Sequence, residues 1–246
     1  MLTKQRYQKI MDMVDNKKTV TVLELVQELD ISESTVRRDL VSLDKLGKLI
    51  RVHGGATSLD LQYEMADVGI AKKSTLNLEQ KHTIGKYAAK LIEPGDFVYL
   101  DSGTTVEIMA SYITEKEANY VTNSIWQAKA LAKHNIPVTI IGGTFKAVTE
   151  AIIGSEAVEN LQKYHFTKGF FGVNGISDVA QFSTPETNEA SVKRTAMLQC
   201  KKSYVLADSS KFNIVSAVTF GQIENSTIIT TKKAPENHIN TIYVEE

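Results

Sequence analysis

Three short amphipathic patterns open this sequence, and they constrain its fold more than any other feature. Apolar residues recur at helical spacing in each pattern, and Thr21 and Ser32 stand where the second and third helices need a capping hydroxyl. Gly47 ends the third pattern. Residues 48–56 then alternate apolar with polar side chains and break at a Gly-Gly pair, which is typical of two short strands joined by a turn. We therefore expect residues 1–57 to form three helices and a two-stranded wing, the arrangement of a winged helix-turn-helix.

The third predicted helix carries polar side chains on the face opposite its apolar residues. At about 100° per residue, Val36, Leu40 and Leu43 share one stripe, and hydroxyl and guanidinium groups occupy the other side. The first turns of a recognition helix enter the major groove, where arginine pairs with guanine and Ser or Thr reaches bases or phosphates. The predicted DNA contacts are Ser34, Thr35 and Arg38 at base edges, Arg37 at a phosphate, and Arg51 and His53 of the wing at the backbone or the minor groove.

An exposed arginine alone is more often part of a solvated helical face than a DNA contact. The combination of a short helix, a tight turn, a capped third helix and a Gly-Gly wing favours DNA binding over that alternative. Asp39 would repel phosphate, so we expect it to pair with an arginine inside the same domain.

The sequence changes character after residue 72, where short apolar stretches begin to alternate with amphipathic ones. Strands are expected at 97–101, 119–122, 137–141, 168–173, 202–207, 226–230 and 240–244, and helices at 79–92, 104–113, 125–134, 155–163 and 186–200. Such alternation predicts a mostly parallel sheet covered by helices on both faces. Residues 58–72 show no strong pattern, so we expect a linker there and an α/β domain over residues 73–246.

Small polar residues follow several of the predicted strands. Asp101-Ser102-Gly103-Thr104-Thr105 closes one strand and opens a helix, so its backbone N–H groups and hydroxyls would form an anion site. The other strand-end motifs are Thr122-Asn123, Gly142-Gly143 and Asn174-Gly175. Each of these alone is an ordinary turn, but ligands of open α/β sheets bind at the carboxyl ends of the strands. Together the motifs predict one phosphate-binding pocket.

Positive charge is also needed to hold a dianion. Lys211 is the strongest candidate because it directly follows an apolar strand, and Lys73 and Lys81 lie at the first helix of the second domain. Any one of these lysines, taken alone, is more often a solvated surface residue. We expect Asp101 and Asp208 to accept hydrogen bonds from sugar hydroxyls, because buried acids need partners. The predicted effector site combines these five residues with the strand-end motifs.

Composition and the remaining residues limit the other functions open to the chain. The single cysteine, Cys200, cannot form an internal disulfide, which suits a reducing cytoplasm. The charged N-terminus lacks the apolar stretch of a signal peptide, and no apolar run approaches the ~20 residues of a membrane helix. The histidines show no metal-ligand spacing, and no motif demands a cofactor or a catalytic residue. We therefore expect a cytoplasmic protein with no membrane partner, metal or cofactor.

Residues 1–57 resemble the DNA-binding domain of DeoR-type repressors. The resemblance rests on Ser34-Thr-Val-Arg-Arg-Asp-Leu40, Leu43, Leu46-Gly47 and Arg51-Val-His-Gly-Gly55. It implies a homodimer or homotetramer that reads repeated or palindromic half-sites in operator DNA.

The second half is similar to DeoR-family sensor domains, which resemble sugar-phosphate isomerases of the ribose-5-phosphate type in fold. The family motifs Asp-x-Gly-Thr-Thr, Thr-Asn, Gly-Gly, Asn-Gly and Asp-x-x-Lys-Phe all occur, beginning at residues 101, 122, 142, 174 and 208. Residues 1–10, 151–154 and 182–185 look closest to fructose operon repressors of low-GC Gram-positive bacteria. This resemblance implies a phosphorylated sugar as effector, with fructose 1-phosphate as the first choice. Lys146, Thr167 and residues 186–189 depart from the family pattern.

A sugar-phosphate isomerase-like enzyme with an appended helix-turn-helix is the main alternative. The same sheet and phosphate loops would suit it, and it would need a general base near C2 of the sugar. Asp101, Asp208 and Glu189 are the candidates for that base. An isomerase has no use for a DNA-binding domain, so the sequence favours a repressor that is not an enzyme.

Overall fold

Two compact units make up the chain, Met1–Tyr63 and Glu64–Glu246. The computed structural model describes residues 2–17, 19–52, 54–58, 62–65, 69–232, 234 and 240–245. The division between the units falls inside the segment expected to be a linker. The domain bounds given above stay a prediction.

The first unit combines three helices with short strands. In chain order its elements are α1 (Thr3–Lys17), β1 (Thr19–Thr21), α2 (Val22–Leu29), α3 (Glu33–Lys45), β2 (Ile50–Val52), β3 (Gly55–Thr57) and β4 (Gln62–Tyr63). The three helices expected from the sequence are confirmed. The wing differs, because among the described residues β1 also pairs antiparallel with β3 and gives the strand order β1-β3-β2. Val20 explains the additional strand, since its side chain is fully buried in the core of the unit.

Local hydrogen bonds determine where α2 and α3 begin. Thr21 and Glu24 form a capping box, in which Glu24 N donates to Thr21 Oγ1 at 3.1 Å and Thr21 N donates to Glu24 Oε2 at 2.8 Å. At α3, Ser32 Oγ accepts from Thr35 N at 3.4 Å. Both capping hydroxyls therefore act as the sequence predicted.

An ion pair joins α1 to α3 beside the core of the first unit. Ile10, Val36 and Leu40 belong to the buried cluster that unites the three helices. Asp39 of α3 is buried as well, and its carboxylate accepts two hydrogen bonds from the guanidinium of Arg6 in α1. The expectation that Asp39 pairs with an arginine of its own domain is confirmed.

The second unit alternates strands with helices. Its helices are α4 (Ile70–Thr75), α5 (Leu78–Ala89), α6 (Thr104–Ala110), α7 (Ile125–Lys133), α8 (Ser155–Leu161) and α9 (Thr187–Leu198), with single 3-10 turns at Ser209–Lys211 and Ile223–Asn225. Its strands are β5 (Phe97–Leu100), β6 (Asn119–Thr122), β7 (Val138–Ile140), β8 (Thr144–Lys146), β9 (Ala151–Ile153), β10 (Phe166–Gly172), β11 (Gly175–Ser177), β12 (Gln181–Thr184), β13 (Cys200–Leu206), β14 (Ile214–Val215), β15 (Val218–Gly221), β16 (Thr227–Thr231) and β17 (Thr241–Val244).

A parallel sheet forms the centre of the second unit. Within the described residues it has seven strands in the order β17-β16-β13-β10-β5-β6-β7, and every neighbouring pair is parallel. Phe170 and Phe171 of β10 are both fully buried, yet they belong to different core clusters, because successive side chains of a strand point to opposite faces. Helices therefore cover both faces, and the expected α/β fold is confirmed.

The chain leaves the middle of this sheet in two directions. From β5 it proceeds to β6 and β7 on one side, and from β10 it proceeds to β13, β16 and β17 on the other. The direction of winding thus reverses between β5 and β10. In open α/β sheets such a reversal leaves a crevice at the carboxyl ends of the two strands, and ligands bind there.

Several short elements were not expected from the sequence. β8 and β9 form an antiparallel hairpin after Gly142-Gly143, and β11, β12 and β15 pair in a separate antiparallel sheet. α4 begins at Ile70, inside the segment that showed no pattern. Each of these elements has only three to six residues, which is too short for hydrophobic periodicity to reveal it. No helix among the described residues is long and apolar enough to cross a membrane.

Candidate functional site

The exposed face of α3 carries the residues predicted to contact DNA. Ser34 and Arg38 are exposed, and Thr35 is half-buried because its hydroxyl lies 2.9 Å from the capping Ser32 Oγ. Within the part of the chain that the structure describes, the Arg38 guanidinium makes no hydrogen bond or ion pair. Arg38 is thus the arginine on this face with all its donors available to a partner.

Arg37 lies on the same helix in a different environment. Its Nε donates to Glu33 Oε1 at 2.8 Å, one turn earlier, and the two side chains are 57% and 60% exposed. An exposed pair of this kind contributes little stability, so a phosphate can replace the carboxylate at small cost. Arg51 of the wing is exposed, and its backbone N–H donates to Asp44. His53 lies outside the described residues.

The second unit contains a cleft at the carboxyl ends of β5, β10 and β13. Predicted effector residues that line it are Lys73, Lys81, Ser102, Gly103, Thr104, Thr105, Asn174, Asp208 and Lys211. Residues that line it without having been predicted to bind effector are Ile70, Leu76, Thr149, Gly172, Val173, Glu189, Lys193, Leu206 and Ser210. The cleft therefore lies at the point of the sheet where the direction of winding reverses. The residues that line it come from separate segments of the chain between residues 70 and 211.

The loop after β5 presents backbone donors to this cleft. Gly103 precedes α6 and has no side chain to cap the first turn, so the N–H groups of that turn are left for another acceptor. Asn123 holds the loop in place by accepting from Ser102 N at 2.8 Å through its Oδ1. Gln127 Nε2 donates to the carbonyl of Asp101 at 3.0 Å. Residues after β6 thus fix the shape of the loop from behind.

Asp101 and Lys193 form a buried ion pair at the base of the loop. Asp101 is fully buried, and its Oδ2 accepts from Lys193 Nζ and from Gly172 N, the latter at 2.9 Å. Burial raises the pKa of the Asp101 carboxyl, and Lys193 and the Gly172 N–H oppose that shift. Sequence reasoning missed Lys193, although it follows Glu189 by four residues in a predicted helix and so shares its face.

Three lysines line the cleft near Asp208. Lys81 is only 2% exposed, and its ammonium donates to the carbonyl of Lys73. Burial lowers the pKa of Lys81, the positive charges of Lys211 and Lys73 lower it further, and Asp208 opposes them. The ammonium of Lys81 is buried, its pKa is lowered, and two further lysines lie near it. An anion that enters the cleft would therefore stabilise the charged form of Lys81.

Asp208 shapes the loop after β13. Its Oδ1 accepts from Asn77 Nδ2 at 2.8 Å and from Ser210 N at 3.0 Å, and it caps the 3-10 turn that ends at Lys211. The carboxylate therefore positions Lys211 as well as facing the cleft.

Glu189 of α9 organises a second group of polar side chains in the cleft. Its Oε1 accepts from Lys146 Nζ at 3.0 Å and from the hydroxyl of Thr149. Its Oε2 lies 3.5 Å from Thr184 Oγ1, which in turn donates to Asn174 Oδ1 at 3.1 Å. The cleft therefore contains lysines beside Asp208 and a group of hydroxyl, amide and carboxylate side chains around Glu189.

Six predicted effector residues lie outside the lining of the cleft: Asp101, Thr122, Asn123, Gly142, Gly143 and Gly175. Thr122 Oγ1 donates to the carbonyl of Leu100 at 2.7 Å inside the sheet. A Cβ at Gly143 would lie 2.7 Å from Ile153 O, and one at Gly175 would lie 2.4 Å from Ile214 O, so close backbone contact explains both glycines. Direct contact of these six residues with a ligand stays a prediction.

Comparison with protein families identifies both units. The family model of the DeoR-like helix-turn-helix domain matches residues 6–62, and that of the DeoR C-terminal sensor domain matches residues 76–233. The chain is 42% identical over 233 residues to the HTH-type transcriptional regulator FruR of Bacillus subtilis (strain 168), covering 94% of this chain and 92% of the relative. It is 32% identical over 234 residues to the lactose phosphotransferase system repressor of Streptococcus mutans, with the same coverage.

Solved structures give more distant likenesses. Ribose 5-phosphate isomerase A from Methanocaldococcus jannaschii is 15% identical, with a TM-score of 0.42 over 55% of each chain. The full-length sorbitol operon regulator SorC from Klebsiella pneumoniae is 12% identical, with a TM-score of 0.38 over 86% of this chain and 96% of that one.

Proposed function

We propose, on the premise that this chain belongs to the DeoR family of transcriptional repressors, that it holds the operator of a sugar-utilisation operon and releases it when a phosphorylated sugar binds the cleft. The observation that carries the proposal is the meeting of Lys73, Lys81 and Lys211 with the uncapped first turn of α6 in one cleft. Lysine ammonium groups and free backbone N–H groups are the donors that bind a phosphate dianion in proteins.

Operator DNA would be held by α3 in the major groove. Arg38 has the free donors that a bidentate contact to guanine needs, and Ser34 and Thr35 stand in the first turn, which enters the groove most deeply. Arg37 and Arg51 would contact the backbone. The family resemblance supports a homodimer or homotetramer, acting in the cytoplasm where operator DNA is found.

The sugar part of the effector would lie among the remaining polar groups of the cleft. Asp208, Asn174 and Glu189 offer acceptors and donors for hydroxyls close to the lysines. Fructose 1-phosphate is the first candidate because residues 1–10, 151–154 and 182–185 resemble fructose operon repressors. Fructose 1,6-bisphosphate is the second.

The acids of the cleft support binding without turnover. A general base needs a carboxylate that is free to accept a proton from the substrate. Asp208 and Glu189 already accept hydrogen bonds from amide, lysine or hydroxyl donors, and Asp101, paired with Lys193, lies outside the lining of the cleft. We therefore assign the cleft to sensing and leave isomerisation as the outcome that would contradict this assignment.

A thermal-shift panel of phosphorylated hexoses and pentoses tests the proposal most directly. Saturating fructose 1-phosphate should raise the unfolding midpoint, because a ligand that binds only the folded state stabilises it. The same compound should lower the affinity for an operator duplex in fluorescence anisotropy, whereas free fructose should change neither quantity. Stabilisation by no member of the panel, or conversion of the sugar phosphate to an isomer, would refute the proposal.

A further inference from the structure

Helix α4 forms part of the wall of the cleft. Ile70, Lys73 and Leu76 at and beside this short helix line the cavity, and Ile70 N donates to the carbonyl of Val148 at 3.1 Å. In the chain, α4 begins only seven residues after Tyr63, the last residue of the DNA-binding unit. Helix α4 is therefore the element of the cleft wall that lies nearest along the chain to the DNA-binding unit.

Side chains from α4 itself and from α5 bond the C-terminal end of α4, where Thr75 Oγ1 donates to the carbonyl of Lys72 at 3.0 Å. Lys81 of α5 donates from its ammonium to the carbonyl of Lys73, and the same carbonyl accepts from Leu76 N at 3.4 Å. Gly69 at the other end of α4 provides no side-chain cap. A six-residue helix is marginal by itself, so contacts from outside largely determine whether it persists.

The same ammonium also lines the cleft. The carbonyl of Lys73 is neutral, whereas an effector phosphate is a dianion, so an effector in the cleft attracts the Lys81 ammonium more strongly than that carbonyl does. A shift of the ammonium towards the effector would lengthen its hydrogen bond to the Lys73 carbonyl. Occupancy of the cleft and retention of α4 are therefore opposed through Lys81.

We propose that Lys81 couples effector binding to operator release: in the effector-free protein its ammonium holds α4 through the Lys73 carbonyl, and an effector phosphate draws it away and frees α4. This inference rests on the proposed function for the identity of the ligand. It makes α4 the element that carries the signal from the cleft towards the DNA-binding unit.

The Lys81→Met and Lys211→Met variants separate this role from simple ligand binding. Both lysines line the cleft, and the ammonium of Lys81 also donates a hydrogen bond to α4. Without effector, K81M should bind the operator about 10-fold more weakly than the wild type, approaching the affinity of wild type saturated with fructose 1-phosphate. K211M should respond poorly to the sugar, because it removes a cation that lines the cleft. Lys86→Met, which removes an exposed lysine of the same helix, should change neither quantity.

The operator for these measurements is a duplex selected by the wild-type protein from a random-sequence pool, read by fluorescence anisotropy. Hydrogen exchange in the full chain gives a second readout, since amides of residues 70–76 should exchange faster in K81M than in K211M. If K81M binds the operator as tightly as wild type and only loses its response, Lys81 is an effector ligand alone and the inference is wrong. The comparison of K81M with wild type is made without effector, so it decides the coupling whichever member of the sugar-phosphate panel binds.

Ile70→Ala provides an independent test should K81M fail to fold. It shortens an apolar side chain of α4 that faces the cleft and leaves every lysine in place. We expect operator affinity about 5-fold below wild type without effector, with binding of fructose 1-phosphate retained in the thermal-shift assay. A folded I70A variant with wild-type operator affinity would overturn the role of α4.

Discussion

Two ion pairs of this protein, one in each unit, differ in how far their side chains are exposed to solvent. In the DNA-binding unit, Arg37 and Glu33 pair on the surface of α3 with side chains more than half exposed. In the sensor unit, Lys193 and Asp101 pair beneath the cleft with side chains at most 5% exposed. Solvent screens the first pair, so its partners can separate at little cost. The second pair lies in a medium of low dielectric constant, where loss of one partner leaves an uncompensated charge.

This difference matches what each surface has to do. A helix that reads DNA needs cations that can exchange a carboxylate for a phosphate when the partner arrives. A cleft that selects a small molecule needs its loops fixed before the ligand binds, because ordering them on binding would reduce affinity. In these two pairs, the exposed charge lies on the face of α3 that is predicted to contact DNA, whereas the buried charge supports a loop of the sensor unit.

Breaking the buried pair should have the largest effect. Lys193→Met leaves the Asp101 carboxylate buried with only the Gly172 N–H as donor, which should lower the free energy of unfolding by about 3 kcal/mol. Chemical denaturation at neutral pH measures this. Lys202→Met is the matched control, because Lys202 is exposed on β13 and its removal should change stability by less than about 0.5 kcal/mol.

The pH dependence sharpens the same prediction. Burial already raises the pKa of Asp101, and loss of Lys193 would raise it further above the value in the unfolded chain. A carboxyl with a raised pKa in the folded state destabilises the protein above its unfolded pKa, and protonation relieves that cost. The deficit of K193M should therefore shrink as the pH falls from about 8 to about 5. A deficit that is absent at pH 8, or that grows on acidification, would show that the pair does not support the loop.

Removing a free arginine from α3 should have the next largest effect, on DNA binding alone. Arg38→Ala should weaken binding of the operator by about 100-fold, as expected for loss of a bidentate base contact, and leave the thermal shift with fructose 1-phosphate intact. Arg37→Ala should weaken binding to operator and random duplexes to the same modest extent. It should also reduce the slope of log affinity against log salt concentration by about one. Operator affinity of R38A within twofold of wild type would remove Arg38 from base recognition.

The fold was largely predictable because its main elements follow simple periodicities. The seven strands of the central sheet begin and end within two residues of the bounds predicted from the short apolar stretches. For example, β5 spans Phe97–Leu100 and was predicted at 97–101. Capping hydroxyls at Thr21 and Ser32 predicted where α2 and α3 begin. The hairpin β8–β9 and helix α4 were missed because a few residues cannot display a period, and only tertiary packing establishes them.

The cleft was predictable only in part, for a topological reason. Residues that follow strands meet at one edge of a parallel sheet, which brings Ser102–Thr105 together with Asp208 and Lys211. Lys193 lies in the middle of α9, 92 residues after Asp101, whose carboxylate it contacts. It does not follow a strand, so it could not be predicted from strand ends. At Gly175 the strand-end motif coincides with close packing against Ile214, and its contact with effector stays a prediction.

A smaller effect concerns Lys81, a lysine of the cleft whose pKa is lowered. Burial lowers the pKa of Lys81, as do the charges of Lys211 and Lys73, while Asp208 and Glu107 oppose the shift. Lys81 therefore begins to lose its proton at lower pH than an exposed lysine, whereas an effector phosphate is already dianionic above pH ~6. Loss of this charge should weaken effector binding in calorimetric titrations as the pH rises, and at lower pH than the deprotonation of an exposed lysine would. The decline should persist in K211M and disappear in K81M, and an equal decline in both variants would assign the titration to another group.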